Sequence, residues 1–247
     1  VWNSSTGEYD RISTNGVVTG SAALIGTSDH PIKIHGPVTV TEDAVIKGYV
    51  QGQGTIYTGR NVHIVGSIIY DDPPDFRGDN PVAIDNVNKK RSILGLAARS
   101  SIIMGDTSTF GDYPLHYMTP PFTKARYDEN GNLISAFNAQ ETDSYGKKRY
   151  QSVLGDSYVH SVSSTVSQID AVLYTNFLGG GNIGGASGGV QFNGSIISRD
   201  EAMVRWSLPF RVNYDNRIME RALDHEPLID IDLPRTPSVA KVTWQEV

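Results

Sequence analysis

From residue 32 an apolar residue returns at every sixth position: Ile32, Val38, Ala44, Val50, Ile56, Val62 and Ile68. Two residues after each stand Ile34, Val40, Ile46, Gly52, Thr58, Ile64 and Tyr70, again mostly apolar. The fifth place of each unit holds Gly36, Glu42, Gly48, Gly54, Arg60, Gly66 and Asp72. Several of these are residues at which a chain turns cheaply. Residues i and i+2 of a strand point the same way, so each unit sends two side chains inward and then bends. Helical spacings of three and four are missing. A single short strand cannot bury its face alone, whereas strands stacked ~4.8 Å apart bury a continuous core. The pattern predicts an all-β chain wound as a parallel β-solenoid, or β-helix. A left-handed hexapeptide helix carries a small residue directly after the aliphatic one. Here that place holds Lys33, Thr39, Val45, Gln51, Tyr57, His63 and Ile69, which favours the right-handed form. His35 and His63 fall between the inward positions and are expected to face solvent.

The beat is interrupted twice, by polar excursions at about 71–91 and 105–165. Inside the second, RYDENGNLIS reads as a β-hairpin turning at Asn130-Gly131. The beat returns at Ile169–Leu173 and at Val190–Ile196. After residue 200 it stops. Asp215 is placed to cap a short C-terminal helix over Arg217–Leu223, and Pro227, Pro234 and Pro237 keep the tail extended. The expected organisation is one domain over 1–247, with a non-repeating segment at 201–247. Ser-Ile-Ile recurs at Ser67, Ser101 and Ser195, each followed five residues later by an aspartate, Asp72, Asp106 and Asp200. Each copy is read as an inward strand whose aspartate stands where the chain leaves the coil.

Charge narrows the possible partners. With 21 Lys and Arg against 27 Asp and Glu, the chain carries a formal charge of −6, a poor match to a phosphate backbone. The two basic triplets, Lys89-Lys90-Arg91 and Lys147-Lys148-Arg149, read as solvated loop clusters. There is no cysteine, so disulfides and thiolate chemistry are excluded. No apolar run reaches the ~20 residues of a membrane span. The chain starts Val1-Trp2-Asn3, which suggests that an anchor or targeting segment has been removed.

Candidate chemistry is sparse. Gly179–Gly184 matches the dinucleotide fingerprint GxGxxG, but no helix pattern follows, so a turning loop is expected. Gly185–Gly189 matches GxSxG around Ser187, again without a helix or a base nearby in sequence. Asp71, Asp72, Asp75 and Asp79 gather in the first excursion. If the protein were an enzyme, Asp71, Asp72 and Asp75 would be its catalytic carboxylates, since glycoside cleavage uses two flanking one bond. The four are also the candidate Ca²⁺ ligands. An Asp/Pro/Gly turn region accounts for them more simply, so no catalytic residue, cofactor or metal is assigned. Asp128, Asn130 and Asn132 have a calcium-like spacing that the hairpin explains better. The six histidines, at 30, 35, 63, 116, 160 and 225, show no ligand spacing and are expected as isolated surface residues.

The stretches GTIYTGRNVHIVGSIIY, LGLAARSSIIMGD, IDAVLYTNFLGGG, FNGSIISRDEA, NYDNRIMERAL and VTWQEV together resemble β-solenoid domains of bacterial prepilin-like, type IV pilus-assembly-associated proteins. The likeness covers most of the chain outside 106–160. It implies an extracellular or envelope location and a non-enzymatic structural or adhesive module. Loop excursions would then meet a protein or glycan partner, because loops on a rigid scaffold commonly carry recognition. Two other readings stand beside it. One is a carbohydrate-active β-helix enzyme, a polysaccharide lyase or hydrolase. The other is a polymerising scaffold like the bactofilins, whose beat is similar.

Overall fold

The computed structural model describes residues 1–13, 15–76, 88–108, 126–134, 141–183, 187–205, 209–215 and 217–218. The apolar positions of the six-residue beat do go inside: Ile32, Ala44, Val50, Ile56, Val62 and Ile68 are buried, as are Ile34, Val40, Ile46, Ile64 and Tyr70. Each such aliphatic side chain contributes about 1.5–3 kcal/mol. The strands holding them run on through several units. After a small antiparallel pair, β1 (Trp2–Asn3) and β2 (Glu8–Tyr9), come β3 (Val17–Val18), β4 (Ala22–Ile25) and β5 (Ile32–Val40). Then follow β6 (Ala44–Thr58), β7 (Val62–Tyr70), β8 (Ile93–Ala98) and β9 (Ile102–Met104). A hairpin of β10 (Arg126–Tyr127) and β11 (Leu133–Ile134) precedes the helix α1 (Asp156–Val162). The long β12 (Gln168–Asn182), β13 (Val190–Arg205) and β14 (Phe210–Tyr214) complete the order.

The expected solenoid is not what forms. β6 pairs with β7, β7 with β9, β9 with β12, β12 with β8, and β8 returns to β6. All five pairings are parallel, so the strands close into a five-stranded parallel β-barrel. β3, β4 and β5 extend outward from β6, and β13 and β14 from β12. The question of handedness falls with the solenoid. The reason for the difference is physical. Alternating inward side chains are required of any strands that enclose a core, stacked or closed. Two neighbouring pairings do keep the beat, with Ile32 facing Val50 and Ala44 facing Val62. Then the offset changes: Gln53 faces Ile93 and Leu173 faces Leu96, so residues returning after the excursions close the ring. Ile46, Ile64, Ile68, Leu94, Leu96, Ile102, Ile169 and Leu173 fill one core cluster.

Smaller expectations divide. The hairpin forms with Asn130-Gly131 in its turn as expected, Tyr127 facing Leu133 and Gly131 at φ 78°. Of the Ser-Ile-Ile copies, Ile68 and Ile102 are buried and Asp72 and Asp106 follow strand ends. The third copy differs: Ile196 is 48% exposed and Asp200 lies within β13. Ile196 faces Leu173 on one side, whereas on the other β14 stops at Tyr214, opposite Gly194. Gly179–Gly181 do not form a loop. They belong to β12, and a Cβ on Gly181 (φ 143°) would lie 2.0 Å from the Met104 carbonyl oxygen. Glycine is needed there for β9 and β12 to approach. Asp215 accepts from the Arg217 N–H at 3.2 Å, as a cap would, and the rest of the expected C-terminal helix lies outside the described residues. The helix α1 arises inside the second excursion, where no period announced it. Its Val159 and Val162 pack on Val45 and Val65, on the outer face of the barrel.

Candidate binding cleft

Three triplets share a polar–apolar–polar pattern: Gln168-Ile169-Asp170, Gln191-Phe192-Asn193 and Arg211-Val212-Asn213. The parallel register of β12, β13 and β14 stacks them, so Gln168, Gln191 and Arg211 form one row and Asp170, Asn193 and Asn213 a second. The central Ile169 and Phe192 point into the core, which turns both rows to the other face of the sheet. Opposite them stands the segment that follows β7. Pro73 and Pro74 cannot continue a ladder, so the chain leaves the sheet there and Phe76 packs back toward the core. Between this wall and the two rows lies a cleft of about 730 Å³, lined also by Asp75, Asn88 and Arg91.

The wall is held firmly. The Asn88 side chain accepts from the Asp75 N–H at 3.0 Å. Arg217, 5% exposed, donates to the carbonyls of Asn88, Arg91 and Ser92 and is paired with Asp215 at 2.7 Å. A buried, fully engaged guanidinium of this kind fixes the wall before any ligand arrives.

The rows have a direction. The Asp170 carboxylate accepts from the Tyr70 N–H at 2.9 Å, from Asn193 Nδ2 at 2.7 Å and from Gln168 Nε2 at 2.9 and 3.0 Å. An ionised carboxylate only accepts, so those amides must turn their nitrogens toward it. Asn193 Oδ1 then faces outward and accepts from Asn213 Nδ2 at 2.7 Å and Gln191 Nε2 at 3.0 Å. Each of these amide nitrogens has a partner, and those of Gln191, Asn193 and Asn213 each keep a second N–H. The side-chain oxygens of Gln168, Gln191 and Asn213 are left without a partner among the described residues, on residues that line the cleft. Burial pushes the Asp170 carboxyl above its ordinary value, opposed by these hydrogen bonds.

Asp75, an exposed residue, is the acidic member of this described lining, and Arg91 is ion-paired with Asp72. Arg211 has no ion pair among the described residues. It also borders a second, smaller cleft of about 420 Å³ with Ser167, Ser187 and Gly188.

The residues singled out in sequence are dispersed. Asp71 accepts from Gln51 Nε2 at 3.3 Å and Asp72 holds Arg91, so of the described first-excursion aspartates only Asp75 lines the cleft. Asp79 lies outside the described residues. Among the described residues no three His, Asp or Glu gather as a metal site would need. Ser187 is exposed at the smaller cleft. Asp128 is consumed by the turn, accepting from Asn130 and Asn132. The basic triplets are not simply solvated, since Arg149 bonds Glu141 as Arg91 bonds Asp72.

Among the histidines, His63 contradicts its expected exposure. It is fully buried on the outer face of β7, next to Val45 and Ile103 on the neighbouring strands, and neither ring nitrogen has a hydrogen-bond partner. Burial lowers its pKa to about 4, against the attraction of Asp43, whose Oδ2 is 4.0 Å away. Asp43 is itself bound to buried Arg60, which also holds Asp143 and the Gln151 carbonyl. That cluster fastens the 141–166 region over the barrel. His30 stacks on Trp2, and His35 is exposed as expected. His116 and His225 lie outside the described residues.

Asp106, Ser108 and His160 do come together, but not as a catalytic triad. Both Ser108 Oγ (3.3 Å) and Asp106 Oδ2 (2.6 Å) address the same His160 nitrogen, Nδ1, and Ser108 also bonds Asp106. A nucleophile needs the ring's other nitrogen. Burial raises the Asp106 pKa, yet its bonds from Ser108 and His160 outweigh this and hold it below the ordinary value.

No family model, curated protein or solved structure matches the chain. No helix among the described residues is long and apolar enough to cross a membrane.

Unlike Asp75, the residues of the two rows were missed because none belongs to a chemistry-bearing motif. The signal that could have found them is the repeated polar–apolar–polar triplet, with amides at matching places.

Proposed function

We propose that the chain is a non-enzymatic structural and adhesive module of a bacterial cell surface or pilus, and that it holds a glycan in the cleft between Pro73–Phe76 and β12, β13 and β14. The observation that carries this reading is the directed amide network, which ends in three unused acceptors in one cleft. Adjacent strands set Gln168 and Gln191 ~4.8 Å apart in one row, with Asn213 in the second row beside them. A ligand matched to such a wall brings several hydroxyl donors on a rigid frame, as a saccharide does. Phe76 adds an apolar surface for the ring's C–H groups. The surface and pilus association is supported by the sequence resemblance and is separate from the glycan reading.

Binding without cleavage is the better match to the carboxylates. Glycoside hydrolysis uses two of them on one bond, ~5–9.5 Å apart. Among the described residues lining the cleft, Asp75 is the one acidic residue, while Asp170 behind the wall is 1% exposed and occupied by its donors.

The test is affinity electrophoresis in gels containing soluble neutral or acidic polysaccharides. The protein should be retarded by at least one of them, and Gln191→Ala with Asn213→Ala should abolish the retardation while leaving the circular dichroism unchanged. Release of reducing or unsaturated ends with sustained turnover would replace the binding reading by an enzymatic one.

A further inference from the structure

We infer that Arg211 forms an anionic subsite, so that the preferred ligand is an acidic saccharide carrying a carboxylate or sulfate; this rests on the glycan reading above. Arg211 stands at the outer end of the row Gln168–Gln191–Arg211, level with the two amides whose oxygens are unused. It is exposed and has no ion pair among the described residues, as Arg11 and Arg99 also have none, but it alone of these three lines the clefts beside the amide rows, where Arg91 is paired. Five N–H donors in a planar fork are thus available to a ligand.

The surroundings decide which side an anion takes. Toward the larger cleft Arg211 shares the lining with Asp75, which repels an anion. Toward the smaller cleft the other described lining residues are hydroxyl, amide, glycine and apolar: Thr165, Ser167, Gln168, Ser187, Gly188 and Pro209 among them. No carboxylate is present on that side among the described residues, so Arg211 is its one formal charge. A ring whose hydroxyls meet Gln191 and Asn213 can therefore put its charged group between Arg211 and the serine hydroxyls. A carboxylate or sulfate there would accept two parallel N–H bonds, the geometry in which arginine discriminates best.

The experiment is titration calorimetry of the intact chain at low and at physiological salt. The probes are a tetrameric oligouronide, its carboxyl-reduced neutral counterpart, and a sulfated tetrasaccharide of the same backbone. The expected result is at least tenfold tighter binding of one charged ligand than of the neutral one. Arg211→Gln should weaken that charged ligand about tenfold and the neutral one less than twofold. The uronide and sulfate arms tell which anion is preferred. If charged and neutral tetramers bind alike and Arg211→Gln leaves both unchanged, the anionic subsite is overturned while the glycan reading stands. If no saccharide binds the wild-type chain, the glycan reading falls and this inference with it. Because Arg211 is exposed on an outer strand, the variant folds, and unchanged circular dichroism verifies that.

Discussion

His63 illustrates how one side chain couples this fold to pH. Its ordinary pKa of 6.5 is lowered to about 4 by burial, so the folded chain keeps the ring neutral. Below pH 6.5 the unfolded chain takes up a proton that the folded chain refuses until about pH 4. Stability therefore falls as pH drops through that window, by up to about 3 kcal/mol from this group. His63→Leu removes two unpartnered nitrogens from the interior and should remove this component. Urea unfolding at pH 7 and pH 4.5 checks it: the wild type should lose more stability between the two than the variant does. An equal loss in both would mean that His63 is not the responsible group. The same residue shows where sequence reading stops. His63 sits between inward positions and points outward from the barrel, as the alternation requires. Its burial comes from α1 and the 141–166 region, laid over it from a distant part of the chain. Asp75 was legible as a candidate, whereas Arg211 and the amides were not, because their proximity exists only once three strands are in register.

At the scale of elements, the glycines of β12 matter more than their resemblance to a nucleotide fingerprint. Gly181→Ala would push a Cβ to 2.0 Å from the Met104 carbonyl oxygen, at a φ that side chains avoid. The cost is expected to be at least roughly 1–3 kcal/mol, as for other overpacked positions, with loss of amide protection across Ile102–Met104. Gly188→Ala is the matched control, since a Cβ there meets nothing within 4 Å and should change stability by less than about 0.5 kcal/mol. Similar urea midpoints for the two variants would refute the close-approach account. The strands themselves were largely readable, because inward aliphatics at fixed spacing name both the strand and its buried face. α1 was not, since seven residues with a single fully buried side chain carry too little periodicity to announce a helix.

For the whole molecule, the difference between a stack and a closed ring is measurable. In a stack each course rests on its neighbour, so removing the C-terminal half leaves the earlier courses in place. In the barrel, β12 bridges β8 and β9, and without it the ring opens on both sides. A fragment ending at residue 166 lacks β12 entirely. It is expected to lose cooperative thermal unfolding and to bind a hydrophobic dye, whereas the intact chain should melt in one transition. Cooperative melting of the fragment would argue against closure. The beat could not foretell this, because it specifies what points inward and leaves open which distant strand completes the wall.

Closure also imposes a waiting time on the newly made chain. β6 ends at Thr58, while the last ring strand is complete only at Asn182. At ~5–20 residues per second of synthesis, β8 and β9, complete by Met104, stay without β12 for on the order of 4–16 seconds. That interval makes the open edges of β8 and β9 the segments most exposed to mispairing during biogenesis.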